Sequence, residues 1–217
     1  GVQTCALPIW NIDALQEIEA GTDFKAYNIL QLRLHPALIK LKQEIDASPD
    51  DKKYELDLTY ITSRGKWYFI SWKGDESKSG GIATNIGIHF FDMLIWIFGK
   101  VQTNIVHMFE PDKSAGYLEL ERARVRWFLS VDEKTLPQEV AASGQRTYRS
   151  ITLGGREIEF SAGFTDLHNL SYQKILQGKG FGLDKARPSI ETVYTIRHSK
   201  PDLSKGEQHP FCYNLVK

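Results

Sequence analysis

The run Gly80-Gly81-Ile82-Ala83-Thr84-Asn85-Ile86-Gly87-Ile88-His89-Phe90-Phe91-Asp92-Met93-Leu94-Ile95-Trp96-Ile97-Phe98-Gly99 limits what this chain can fold into more than any other. Two glycines open it, one closes it, and the residues between are mostly apolar. That punctuation predicts a helix ending in a left-handed glycine cap. A helix apolar on most of its faces is sandwiched in a core. On it Asn85, His89 and, approximately, Asp92 share one face, because residues three and four apart are neighbours. Polar side chains there must find partners or face a cavity. The plain alternative is a buried histidine held by a neighbouring amide.

The stretch just upstream, Thr62 to Ser79, fits neither helical nor strand periodicity and reads as a long loop. Such loops in compact domains are functional or disordered, and this one is too aromatic for disorder. Arg64, Tyr68, Trp72, Lys73 and Lys78 mix cations, rings and hydroxyls. That mixture suits an anionic, ring-bearing ligand such as a sugar nucleotide. A surface loop whose aromatics fill a small satellite core is the competing reading.

At 217 residues the chain can hold one large domain, or one and a half smaller ones. Its 27 basic residues balance 27 acidic ones, which argues against nucleic-acid or membrane-surface binding through net charge. Met93–Phe98 is far too short to span a bilayer, and no apolar run is expected to do so. Cys5 and Cys212 make no disulfide framework, and no Cys/His cluster has metal-binding spacing. No metal is expected, and a reducing cytoplasm is the default location. Gly1–Trp10 lacks a signal-peptide pattern. It resembles translated sequencing-adaptor DNA, so it is set apart as non-native and a missing natural N-terminus is expected.

Along the chain, Asn11 is expected to cap a short helix with Ile12, Leu15 and Ile18 on one stripe. Leu30, Leu32 and Leu34 alternate with Gln31, Arg33 and His35, which predicts a strand whose polar face could serve a site. Pro36 starts a helix with Leu38, Leu41 and Ile45 aligned. Strands are expected at Tyr54–Tyr60, Val101–Glu110, Tyr117–Arg122 and Val125–Asp132, with a turn at Pro111–Gly116. Gly154-Gly155 marks a hairpin between Tyr148–Leu153 and Glu157–Ser161. Thr165 is expected to cap a helix through Ile175, and a last helix to run from Pro188 to His198. The tail shows no pattern. Gly178-x-Gly180-x-Gly182 follows a helix, so it is a turn and not a dinucleotide loop. The fold class is α+β: a largely antiparallel open sheet with helices on one face, preceded by a short helix–strand piece.

The motif Gly80-Gly81…Asn85-Ile86-Gly87-Ile88-His89-Phe90-Phe91-Asp92 resembles the substrate-domain signature of the glucose-fructose oxidoreductase/inositol dehydrogenase (Gfo/Idh/MocA) family. Leu30–Pro36, Ser71–Gly81, Arg122–Ser130 and Phe164–His168 resemble one branch of it. That branch comprises dehydrogenases oxidising the 3-hydroxyl of UDP-N-acetylglucosaminuronic acid in bacterial surface-polysaccharide synthesis. By this resemblance residues 11–35 close a dinucleotide-binding domain whose glycine fingerprint and Glu-Lys-Pro lysine lie upstream, and residues 36–217 form the substrate and oligomerisation domain. The resemblance implies NAD as cofactor, a UDP-sugar acid as substrate and a homo-oligomer paired through the open sheet face. His89 would be the acid/base, with an imidazole near its ordinary pKa, and Asn85 would orient it or the sugar; the family commonly has Asp there. Gln31, Arg33, His35, Arg64, Tyr68, Trp72, Lys73 and Lys78 would meet the substrate. Two readings compete: an inositol or simple-sugar dehydrogenase of the same family, and a non-catalytic assembly module using a face rich in residues such as Tyr117 and Trp127.

Overall fold

The computed structural model describes residues 9–49, 51–158 and 166–213. Helices α1 (Ile9–Ala20) and α2 (Pro36–Asp46) precede strand β1 (Tyr54–Thr62). Two short helices, α3 (Trp67–Ile70) and α4 (Glu76–Ser79), lead to α5 (Ile88–Phe98). Strands β2 (Val101–Phe109), β3 (Lys113–Leu120) and β4 (Ala123–Ser130) form a meander. Next come α6 (Gln138–Ala142), β5 (Thr147–Leu153) and β6 (Arg156–Glu157). Helices α7 (Leu167–Leu176), α8 (Leu183–His198) and α9 (Pro210–Tyr213) finish the described chain.

The strands make one sheet in the order β2-β3-β4-β1-β5-β6, with β1 and β4 parallel and every other pair antiparallel. Alternation along each strand then sorts the side chains. Leu56 and Leu58 on β1 and Val125, Trp127 and Leu129 on β4 turn towards α5, α2 and α8 and form the main core. Trp127 therefore faces the helices and not an open surface, while Tyr117, opposite Arg126, lies on the outer side. Phe91 of α5 meets Trp127 edge-on, with ring centroids 5.2 Å apart.

The outer side is not bare, because the tail has an order its sequence did not suggest. The Asp202 N–H donates to the Val106 carbonyl on β2, and His107 bonds the Lys205 carbonyl. Glu207 then meets Arg126 on β4, His209 reaches Thr59 on β1, and Phe211 packs on Phe128 and Tyr148. Residues 202–212 thus form a strap across the sheet, with Ile61, Phe128, Leu136 and Cys212 as a second small core beneath it.

Several expectations change. Gln31–Leu34 is a 3-10 turn and not a strand. Among the described residues no strand pairs with it, the nearest bridge being Asn28–Phe181, and Leu32 and Arg33 are buried in succession, which alternation forbids. Helix α1 contains Asn11 and leaves Ile18 exposed. Lys113–Gly116 belongs to β3. Helix α8 begins at Leu183 with Pro188 inside it, where the Ser189 and Thr192 hydroxyls bond backbone carbonyls nearby. The helical run Glu76–Phe98 is, by length and composition, apolar enough to cross a membrane, but 67% of its most apolar window is buried within the fold. That burial is the mark of a core helix. Cys5, Phe164, Thr165 and the far end of the Glu157–Ser161 strand lie outside the described residues.

Candidate active site

Gly80 and Gly81 both take positive φ, 74° and 73°, and break the chain between α4 and the central helix. The next turn, Ala83–Gly87, is π-helical. Such single wide turns inside a helix mark functional sites more often than chance. Here the turn contains Asn85 and delivers His89 to the first turn of α5. A Cβ on Gly87 would lie 2.7 Å from Phe91 and 2.8 Å from Leu129 of β4, so the glycine lets the wide turn sit against the sheet.

His89 is half-buried, and no hydrogen bond joins it to Asn85. Burial, and then the charge of nearby His168 at the start of α7, drive its pKa down to about 4. The imidazole is therefore neutral at physiological pH, not poised near its ordinary pKa, and its unprotonated ring nitrogen can accept a hydrogen bond from a hydroxyl. No local pattern marks His168 as a neighbour of His89. It lay within the motif Phe164–His168, but only folding α7 against the 3-10 turn brings it there.

Asp92, one turn along α5, is buried and accepts two bonds from Arg33, Nε to Oδ2 at 2.9 Å and Nη2 to Oδ1 at 2.7 Å. Burial pushes the Asp92 carboxyl up, against the pull of Arg33. Arg33 also donates to the Lys185 carbonyl and lies over the Phe181 ring. Its charge is thus spent on joining the 3-10 turn to α5 and α8, which corrects the expectation that it meets a substrate anion. His35 is corrected too: it is buried, and its Nδ1 accepts from the Ala37 N–H as the N-cap of α2. Tyr68 is buried in the main core. Lys78 is exposed and paired with Asp75.

Arg64, Trp72 and Lys73 lie at or near the surface. Arg64 is exposed, Trp72 is 46% exposed, and Lys73 lies over the Trp72 ring. Gln31 holds its Oε1 buried without a donor, so a ligand N–H or O–H would complete it. The segment Gly178–Gly182 joins α7 to α8 and pairs with Asn28. Among the described residues no group of three His, Cys, Asp or Glu side chains could hold a metal.

Residues 52–136 match the family model described as the oxidoreductase family C-terminal alpha/beta domain, GFO_IDH_MocA_C. These residues belong to the Gfo/Idh/MocA C-terminal domain family. The WlbA (WbpB) dehydrogenase from Thermus thermophilus, solved in complex with NAD and alpha-ketoglutarate, is similar to the whole described fold. It is 50% identical at a TM-score of 0.87, over 94% of this chain and 66% of that one. The same dehydrogenase with NAD and UDP-GlcNAcA gives 49% identity and a TM-score of 0.86, over 94% and 65%. This chain therefore spans 66% and 65% of the length of those two. The WlbA dehydrogenase from Bordetella pertussis is 18% identical at a TM-score of 0.62 and shares the fold. The π turn, His89 and Asp92 lie within the matched residues, and Arg33 joins them from the 3-10 turn before that range.

Proposed function

We propose that this chain is the substrate-side part of an NAD-dependent dehydrogenase that oxidises the 3-hydroxyl of UDP-N-acetylglucosaminuronic acid. The observation carrying this reading is the 50% identity, sustained over 94% of the chain, to a dehydrogenase crystallised with NAD. A second crystal structure of that relative holds NAD and UDP-GlcNAcA. NAD, when bound, supplies the acceptor for the hydride leaving the sugar carbon. Neutral His89 takes the proton from the hydroxyl as the C–H bond breaks, leaving a ketone. Asn85 orients the sugar, since it does not bond His89. Arg64 and Lys73 face the carboxylate and diphosphate, Trp72 offers a ring surface, and Gln31 accepts from a ligand N–H or O–H. Residues 11–35 are read as the end of the nucleotide-binding domain and 36–217 as the substrate domain. The enzyme is placed in the cytoplasm, where nucleotide sugars and NAD meet, in surface-polysaccharide synthesis. Copies are proposed to pair through the outer sheet face, with the strap contributing to the contact.

In the protein joined to a preceding NAD-binding domain, His89→Gln should lower kcat by about a hundred- to ten-thousand-fold while changing substrate affinity little. NADH absorbance with UDP-N-acetylglucosaminuronic acid reads this directly. Near wild-type kcat in the variant would demote His89 to a packing residue.

A further inference from the structure

The chain leaves α8 at Ser199 and crosses the edge of β2 before the strap begins. Strand β2 is outermost in the sheet on that side, so its outward backbone groups have no strand to pair with. The Val106 carbonyl accepts from the Asp202 N–H and therefore points away from β3. Backbone direction repeats every second residue, so the N–H and carbonyl of Asn104 point the same way. Between that edge and the crossing segment lies a cleft of about 390 Å³, whose walls include Asn104, Ile105, Ser199, Lys200, Asp202 and Lys205. That volume is within the range of small-molecule sites.

Asn104 Nδ2 donates to the Thr192 carbonyl of α8 at 3.3 Å. A carbonyl only accepts, so this bond fixes the orientation of the amide, and Oδ1 is left buried with no donor. An acceptor in that state is costly, and a hydroxyl or N–H in the cleft would complete it. At the rim, Lys205 Nζ lies 3.1 Å from Asp202 Oδ2, and the Lys205 carbonyl is held by His107 Nε2 at 2.7 Å. Lys200 is exposed, and among the described residues no acidic side chain pairs with it. Two cations against one carboxylate leave the rim positive. The cleft is remote from the candidate active site. Arg33 bonds the Lys185 carbonyl at the start of α8, whereas Ser199 lies about 20 Å further along that helix.

We infer that this cleft binds a small hydroxylated anion of the sugar-phosphate class. A sugar hydroxyl donates to Asn104 Oδ1, and the phosphate faces Lys200 and Lys205. A phosphate dianion, unlike a single carboxylate, carries enough charge to engage both ammonium groups while Asp202 keeps its hold on Lys205. The inference does not rest on the dehydrogenase reading, because no residue of the candidate active site takes part in it.

The test titrates the 217-residue chain with glucose 6-phosphate, inorganic phosphate and glucose, read by calorimetry and by backbone amide NMR shifts. Glucose 6-phosphate should bind with a Kd below about 1 mM and shift the amides of Asn104, Lys200 and Lys205. Glucose, lacking the anion, should bind at least about ten-fold more weakly. Asn104→Leu removes the acceptor, so it should weaken glucose 6-phosphate about ten-fold and leave inorganic phosphate unchanged. Lys200→Gln should weaken both anions to a similar degree. Thermal melting establishes that each variant is folded, and Lys200→Gln, at an exposed position, keeps the test decisive if Asn104→Leu does not fold. A wild type that binds glucose 6-phosphate no more tightly than glucose overturns the inference. So do amide shifts centred on Arg64 and Lys73, a folded Asn104→Leu protein with wild-type affinity for glucose 6-phosphate, or a Lys200→Gln protein unchanged towards both anions.

Discussion

Arg33 and Asp92 show how a residue suited to a ligand is claimed by the fold. Both are buried, and their two parallel hydrogen bonds join a 3-10 turn to the central helix. The energy of such a pair lies less in its formation than in what happens when one partner is removed. Asp92→Ala leaves a guanidinium buried without its carboxylate and should cost about 3–5 kcal/mol, measured by urea unfolding. Replacing both, as Arg33→Met with Asp92→Leu, should restore most of that loss. If Asp92→Ala cost under about 1 kcal/mol, the pair would not be holding these elements together. From sequence, Arg33 was simply a cation next to other polar residues. Its partner lies far along the chain, and no local pattern announces a contact between them.

At the scale of elements, the helices and strands with a clear repeat were legible. Leu38, Leu41 and Ile45 of α2 and Leu56 and Leu58 of β1 are buried as their spacing requires. The failures have physical causes. The π turn adds a residue without disturbing the apolar pattern, so a 3.6-residue reading passes over it. Pro188 looks like a helix start but sits inside α8, since one lost hydrogen bond is tolerable within a well-buried helix. The strap has no repeat because its residues take their places from the strands below. The candidate site was half legible: His89 and the exposed loop side chains stood out in the sequence, whereas the lowered pKa, His168 and the duties of Arg33 and His35 are tertiary facts. The π turn makes its own prediction. Gly87→Ala would push a methyl into Phe91 and Leu129, so it should cost about 1–3 kcal/mol. In the full enzyme it should also lower activity by displacing His89. An equally stable and active Gly87→Ala protein would show that the turn has room to spare.

For the molecule as a whole, the two faces of the sheet hold different histidines under a similar constraint. Burial, then His168, lowers the pKa of His89 to about 4; burial, then Arg126, lowers that of His209 to about 3. The His209 ring accepts from the Phe211 N–H through Nδ1, which leaves Nε2 to donate to Thr59. Below about pH 6.5 the unfolded chain takes up protons that the folded chain refuses, so stability falls as the pH drops towards about 4 and then 3. Each histidine contributes a slope of at most about 1.4 kcal/mol per pH unit. Urea midpoints between pH 7 and 5 should therefore fall in the wild type and fall less steeply in His209→Gln. A flat wild-type profile over that range would contradict the assignment. The strap also sets an order of events on the ribosome. The strands it crosses all leave the exit tunnel before it does, so Phe128 and Tyr148 wait uncovered until residues 202–212 emerge. A nascent chain stalled short of His209 would carry a complete sheet with a sticky, unsealed side, which makes the interval before the strap emerges the one in which a chaperone matters most.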